Sequence, residues 1–231
     1  MGRVYLHNVS EPAFSERLAL FPLPNVVLFP DARLPLHMFE PRYRQLAADV
    51  LAGDGVIGMV LLRPDADAGQ TRAPIFEIGC AGRIAEAQEL PDGRYNLVLD
   101  GARRFRILAE EPSETPYRVA HTELLPDPGF AALDAPAQRA LLERRPALEA
   151  VVLDLALRAA PRGAEALRAR LAELDAVQLV HALAFGLDCG FVEKQGLLET
   201  PDPVARCELL LRLLEFHRAE AELGYTARNV N

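Results

Sequence analysis

The chain has 231 residues, a length that suits one large domain or two small ones. Half of the residues are apolar, and 33 acidic residues against 25 basic ones give a formal net charge of −8. This balance predicts a globular protein and excludes the large basic surface that nucleic-acid backbones require. The chain opens without an apolar leader and holds no apolar run long enough to span a bilayer, so we expect a cytoplasmic protein without membrane contact.

Strand-like stretches dominate the first half of the sequence. Residues 56–62 form an apolar run broken only by Gly58, which is typical of a buried strand. Residues 75–89 and 94–108 flank the turn sequence Leu-Pro-Asp-Gly, so they predict a long hairpin. Residues 117–125 predict one more strand.

One helix interrupts this region. Pro41 suits its first turn, where a missing N–H costs nothing, and Gly53 and Gly55 follow its predicted end near Leu51. Phe39 and Tyr43 are four residues apart and can pack on one helix face, and we expect Phe39 to lie in the core. We expect Arg42 to pair with an acid or to lie on an aromatic face. We keep Phe39, Arg42 and Tyr43 as candidate binding residues, with a purely structural role as the alternative.

The composition changes near residue 127 and becomes rich in helix-forming residues. Asp134 is placed to cap a helix that starts at Ala135, and Pro146 is predicted to end or kink it. Further helical segments follow, at residues 147–159, 164–174, 176–187, 190–198 and 202–223. We therefore predict an α+β protein, with a mostly antiparallel β-domain at residues 1–126 and an α-helical bundle at residues 127–231.

A short basic run lies in the second arm of the predicted hairpin. Strand alternation would place Arg104 and Arg106 on one face and Arg103 and Phe105 on the other. The run indicates either a solvated charged face or a contact with an acidic partner or RNA. Arg103 and Arg104 are therefore candidate binding residues, although one basic run in an acidic chain is weak support for RNA.

Motifs for catalysis and metal binding are absent from the sequence. There is no phosphate-binding loop, no nucleophile elbow and no paired-histidine motif, and Lys194 is the single lysine. Cys80, Cys189 and Cys207 have no zinc-binding spacing, which predicts reduced thiols. We expect no catalytic residues, no metal and no cofactor.

Residues 20–44, LFPLPNVVLFPDARLPLHMFEPRYR, resemble the opening signature of the Lon protease N-terminal domain family. The resemblance continues at residues 78–84, 90–95 and 101–107, and more weakly at the KQGLLE sequence of residues 194–199 with Arg206. It implies a PUA-like, mostly antiparallel β-domain with one helix, followed by a helical bundle. Because the family's ATPase and Ser–Lys protease parts find no counterpart here, we expect the stand-alone form of this domain.

The resemblance implies a non-catalytic module that binds proteins or peptides, as the substrate-recognition domain of Lon proteases does. Its expected partners are unfolded or exposed peptide segments or a partner protein, and an adaptor or regulator linked to proteolysis is the expected role. The alternatives are an RNA-binding PUA-like protein and an unrecognised hydrolase. The oligomeric state stays open.

Overall fold

The structure is a computed structural model that describes residues 3–6, 14–64, 72–112, 114–159 and 163–229. The chain divides into two compact units. The first unit comprises Met1–Pro126 and Cys189–Glu199, and the second comprises Asp127–Asp188 and Thr200–Asn231. Apart from one helix among the strands, strands and helices occupy separate parts of the sequence, so the predicted α+β class is confirmed. Across the described ranges, no helix has the length and apolarity needed to cross a membrane.

The described elements begin with seven strands, interrupted by one helix, and continue with helices alone. They are β1 (Arg3–Leu6), β2 (Arg17–Leu23), β3 (Arg33–Met38), α1 (Pro41–Ala52), β4 (Val56–Leu61), β5 (Ile78–Glu89), β6 (Tyr95–Glu110), β7 (Arg118–Leu124), a short 3-10 helix (Phe130–Ala132), α2 (Ala135–Ala159), α3 (Ala164–Ala172), α4 (Ala176–Gly186), α5 (Phe191–Glu199) and α6 (Pro203–Asn229).

Five strands of the first unit close into a barrel. Their order around the ring is β5, β4, β2, β7 and β6, and the ring closes because β5 pairs with both β4 and β6. Every pairing is antiparallel except the parallel pair β2–β4. Strand β1 adds to β5 and strand β3 adds to β6. Closure pairs both sides of the ring strands and so hides edges that would otherwise attract other chains.

Phe105 fills the barrel interior, where glycines make room for it. It packs in a buried cluster that includes Leu20 and Val60. A Cβ added to Gly79 would lie 2.4 Å from the Met59 carbonyl oxygen and 2.7 Å from the Phe105 ring. A backbone oxygen cannot move aside, so a side chain at this position would force the strands apart.

Helix α1 begins at Pro41 and ends at Ala52, as the sequence predicts. Its buried face consists of Tyr43, Leu46, Ala47 and Val50. On another face, the Nε atom of Arg44 donates a hydrogen bond to the Gly93 carbonyl at 2.8 Å. This bond ties the helix to the turn of the β5–β6 hairpin.

The second unit is helical and uses polar side chains at its helix ends. Asp175 caps α4 with a full capping box, because its carboxylate accepts from the Val177 and Gln178 amides while the Gln178 side chain accepts from the Asp175 amide. Arg145 of α2 donates to the carbonyls of Leu171 and Leu174, both at 2.7 Å, at the end of α3. Such bonds satisfy groups that helix ends leave without intrahelical partners.

Helix α2 runs through Pro146, so of the two predicted outcomes, an end or a kink, the end is wrong. Proline removes one N–H and so frees the carbonyl of Leu142, four residues earlier. Both residues are exposed, so water can bond this carbonyl. The two segments predicted at residues 135–145 and 147–159 are therefore a single helix.

Helix α5 packs with the first unit, although the sequence places it among the helices of the predicted bundle. The Nε2 atom of Gln195 donates to the Ile78 carbonyl of β5 at 2.8 Å, and Leu197 and Leu198 are buried. Helical periodicity shows that a segment is amphipathic but not which surface it covers. The division into domains at residues 1–126 and 127–231 stays a prediction, and α5 departs from it in the structure.

Candidate functional site

An open cleft of about 560 Å³ lies in the first unit. This volume falls in the range of about 300–1,000 Å³ that is usual for ligand pockets. The cleft is lined by the end of β2, the start of α1, the end of β4, the start of β7 and the start of α5. The lining residues are Pro22, Leu23, Pro24, Glu40, Arg42, Tyr43, Leu61, Leu62, Arg63, Pro64, Ala73, Pro116, Tyr117, Arg118, Phe191 and Val192.

The cleft is open because two strands of the barrel diverge there. Strand β2 pairs with β4 as far as Leu23, but its pairing with β7 stops at Leu20 opposite Arg118. Pro22 and Pro116 stand on the two sides of the gap beyond this pair. Neither proline has an N–H that could extend the hydrogen bonding between β2 and β7. The two prolines therefore keep these strands apart at this point of the barrel.

Tyr43 supplies a rigid aromatic surface to the cleft. Its side chain is mostly buried, and its ring meets Phe21 edge to face with centroids 4.4 Å apart. Burial raises the pKa of the Tyr43 phenol, so the group is neutral at physiological pH. The Arg42 guanidinium lies 4.5 Å from the Tyr43 ring centroid and pairs with Glu40 at 2.9 Å.

Tyr117 is a second aromatic group in the lining. Its hydroxyl donates to a carboxylate oxygen of Asp49 at 2.8 Å. Burial raises the pKa of Tyr117 to about 12, and the hydrogen bond to Asp49 adds to the effect because it favours the protonated phenol. The bond also fixes the ring at the mouth of the cleft.

Two more arginines line the cleft in different environments. Arg118 pairs with Glu110 and also donates to the Ala73 carbonyl at 2.6 Å, which holds its guanidinium in place. Arg63 is exposed, and its Nε atom donates to the Ile75 carbonyl at 3.2 Å. The Arg63 guanidinium lies over the Phe76 ring, 5.3 Å from the centroid.

The start of α5 forms an apolar lip on the cleft. Phe191 is 41% exposed and Val192 is 51% exposed. The side chain of Glu193 accepts a hydrogen bond from the Gly190 amide at 2.9 Å, which orders this first turn. Exposed apolar groups beside a cleft are typical of binding surfaces.

Of the residues predicted at the start of α1, Arg42 and Tyr43 line the cleft, and Phe39 does not. Phe39 is 60% exposed, so its expected place in the core is wrong. Helix α1 begins at Pro41, so Phe39 precedes it and shares no helix face with Tyr43. Its ring stacks instead on His37, with centroids 6.1 Å apart.

The two predicted residues in β6 lie outside the cleft lining and differ from each other. Arg103 is exposed, and its role in binding stays a prediction. Arg104 is buried, and it donates to the carbonyls of Leu198 and Pro126, both at 2.9 Å. The expected solvated face is wrong at Arg104 because α5 covers this side of the strand, while Phe105 fills the barrel on the other side.

The cleft residues that sequence reasoning missed include Arg63, Tyr117, Phe191 and Val192. The signal for the last two was an apolar pair in the first turn of a short helix, directly before the polar KQ sequence. Arg63 and Tyr117 carry no local signal, since strand order alone brings them together.

Comparison with known proteins places this fold and sequence beside Lon proteases. Residues 17–215 match a family model described as the ATP-dependent protease La (LON) substrate-binding domain. Lon protease 2 of Syntrophobacter fumaroxidans is 31% identical over 198 residues, which cover 84% of this chain and 23% of that protein. Lon protease 2 of Myxococcus xanthus is 30% identical over 216 residues, which cover 90% of this chain and 24% of that protein. The chain thus spans about a quarter of the length of these relatives.

Two solved structures share the fold. The N-terminal domain of Mycobacterium avium complex Lon protease has a TM-score of 0.67 at 17% identity, and the match covers 87% of this chain and 99% of that one. A Lon N-terminal domain protein from Xanthomonas campestris has a TM-score of 0.60 at 24% identity, and the match covers 85% of this chain and 97% of that one. At these identities the likeness concerns the fold alone.

Proposed function

Because this chain belongs to the LON substrate-binding domain family, we propose that it is a recognition module that captures exposed peptide segments in the cleft of the first unit. The captured segment belongs to an unfolded protein or to a partner that presents an extended stretch. The role that follows is that of an adaptor or regulator linked to proteolysis.

The observation that carries the proposal is an open apolar cleft with rigid walls. Tyr43 and Tyr117 are held by packing and by a hydrogen bond, so they lose little conformational entropy when a ligand binds. Phe191 and Val192 are exposed at the lip and are available to an apolar side chain. Prolines stiffen the remaining walls.

The chemistry of the lining favours binding over catalysis. The described residues that line the cleft include no serine, cysteine, histidine or lysine. These residue types supply most nucleophiles and general bases, so the lining offers contacts without an assembled reaction centre. RNA binding has less support, because Arg104 is buried and so cannot contact a phosphate.

A charge placed on the lip tests the proposal. Val192→Glu would set a carboxylate where an apolar side chain is to dock, and we expect binding of a reduced, carboxymethylated globular protein to weaken by about tenfold or more. Leu108→Glu is the matched control, because Leu108 is a 61% exposed residue of β6 outside the cleft lining. Surface plasmon resonance measures both variants, and thermal melts verify their folding. Equal affinities for the two variants would refute the cleft as the binding site.

The link to proteolysis has a separate test. Added to a Lon-type protease and an unfolded substrate, the wild-type chain is expected to change the rate of degradation, and Val192→Glu is expected to change it less. No effect of the wild-type chain over a range of concentrations would exclude the adaptor role and leave peptide binding intact.

A further inference from the structure

We propose that the cleft selects peptide segments in which an acidic side chain stands beside apolar ones, and that Arg63 is the residue that recognises the acid. This inference rests on the proposed function above, since it specifies which segments the cleft prefers.

The charge of the lining supports this preference. Three arginines, at positions 42, 63 and 118, line the cleft, and Arg42 and Arg118 have carboxylate partners in Glu40 and Glu110. The charge that remains for a ligand is therefore that of Arg63. An exposed guanidinium attracts carboxylates and lowers the affinity for cationic segments.

The three arginines are not equally available to a ligand. Arg42 is paired with Glu40 at 2.9 Å, and Arg118 is paired with Glu110 and has a mostly buried side chain. Among the residues that the structure describes, Arg63 forms no ion pair, and its contacts there are the Ile75 carbonyl and the Phe76 ring. Arg63 is thus the arginine with the most to gain from a carboxylate.

The contacts of Arg63 also orient it for this task. The Nε atom is held by the Ile75 carbonyl and the guanidinium plane is supported by Phe76, so the two terminal nitrogens remain to contact a ligand. A guanidinium that is fixed in this way can form two parallel hydrogen bonds to one carboxylate. Leu62 and Pro64 flank Arg63 and also line the cleft, which places apolar contacts directly beside the charge.

The carboxylate in question is a side chain within the segment rather than a chain terminus. Leu62 and Pro64 line the cleft on both sides of Arg63, so apolar contacts are available to residues that precede and follow the acid.

Short fluorescent peptides test the inference. One peptide combines Leu, Phe and Glu, a second replaces each Glu by Gln, and both have blocked ends so that no terminal charge is present. Fluorescence anisotropy is expected to show that the acidic peptide binds about tenfold more tightly, which corresponds to roughly 1.4 kcal/mol. In Arg63→Gln this preference is expected to fall to about twofold, with the affinity of the Gln peptide unchanged.

Arg33→Gln is the matched control, because it removes an exposed arginine of the same unit outside the cleft lining and should keep the preference. Equal binding of the two peptides to the wild-type chain would refute the acidic preference and leave peptide capture standing. Absence of binding by both peptides would refute the proposed function itself. Two further outcomes would assign Arg63 to a different ligand. One is a Gln peptide with a free C-terminal carboxylate that binds as tightly as the acidic peptide, and the other is single-stranded RNA that displaces the acidic peptide at equal concentration.

Discussion

Each unit of this protein buries an arginine in its interior, and the two units do so by different means. In the β unit, the described bonds of Arg104 run to the backbone carbonyls of Leu198 and Pro126. In the helical unit, Arg206 donates to the carboxylate of Asp127 at 3.1 Å, to the Thr200 carbonyl at 2.8 Å and to the His181 ring at 2.6 Å. Arginine has no acceptor, so the His181 Nε2 must accept and the ring must be neutral.

The difference shows two ways of stabilising a buried cation. The two described hydrogen bonds of Arg104 go to carbonyl dipoles, which carry no formal charge. Arg206 is instead paired with a buried carboxylate, so each charge needs the other. Loss of either partner leaves the remaining one charged in a site of low polarity. The helical unit should therefore be the more sensitive of the two to loss of its arginine.

The largest effect is expected for Arg206→Met. Breaking a buried ion pair by removing one partner costs about 3–5 kcal/mol, because Asp127 would remain as a buried charge. Urea unfolding followed by circular dichroism measures the loss. Arg212→Met, an exposed position on the same helix, should stay within about 0.5 kcal/mol of wild type. If Arg206→Met lowered the free energy of unfolding no more than Arg212→Met does, the expected sensitivity of the helical unit would be refuted.

Arg104→Met is expected to have a smaller but clear effect. Hydrogen bonds to charged groups contribute about 1.5–3 kcal/mol, and carbonyls left behind carry no formal charge. We also expect faster hydrogen exchange in residues 191–199, because Arg104 holds the end of α5. Arg103→Met is the neighbouring exposed control. If Arg104→Met destabilised the protein as much as Arg206→Met, the loss of stability would not depend on whether the arginine bonds to carbonyls or to a carboxylate.

Alkaline pH offers a test confined to the β unit. The pKa of Tyr117 is raised to about 12, whereas an unfolded tyrosine ionises near 10. Above about pH 10 the unfolded state therefore binds fewer protons than the folded state, and stability falls as the pH rises. The stabilising contribution of Tyr117 is fully present below about pH 10 and is lost by about pH 12. Stability curves of the wild type and Tyr117→Phe should converge over this window. Parallel curves would contradict the burial of this phenol.

The smallest effect is expected for Phe39→Ala. Since Phe39 is largely exposed, its truncation should change the free energy of unfolding by less than about 0.5 kcal/mol. Tyr43→Ala should cost several times more, because Tyr43 packs edge to face on Phe21 in the core. Thermal melts of the two variants distinguish them. A large loss at Phe39 would restore the core role that helical spacing had suggested.

Local chemistry explains which parts of the fold were predictable. The β5–β6 hairpin followed from its Leu-Pro-Asp-Gly turn, and α1 followed from Pro41 at its start and glycines beyond its end. Asp134 caps the start of α2 as predicted, since its carboxylate accepts from the Ala137 amide at 2.9 Å. In each case the deciding contacts lie within a few residues along the chain.

The cleft and the buried arginines depended on distant contacts. Arg104 looked like part of a charged surface because alternation assigns a face but does not reveal a helix that covers it. Its partner Leu198 lies 94 residues away. Arg63 and Tyr117 meet at the same cleft only because β4 and β7 both flank β2 in the ring. These positions required the strand order, which no local pattern contains.

The order of the sequence also sets an order in time. A ribosome that has made residues 1–126 has completed every strand of the barrel, yet it has not made the helix that supplies Leu198 to Arg104 and the apolar lip to the cleft. That helix emerges only after residues 127–188. During synthesis the barrel strands are therefore complete while Arg104 is still uncovered, and the cleft is complete only after α5 has emerged. A protein proposed to capture exposed peptide segments would acquire this ability only once that helix has been made.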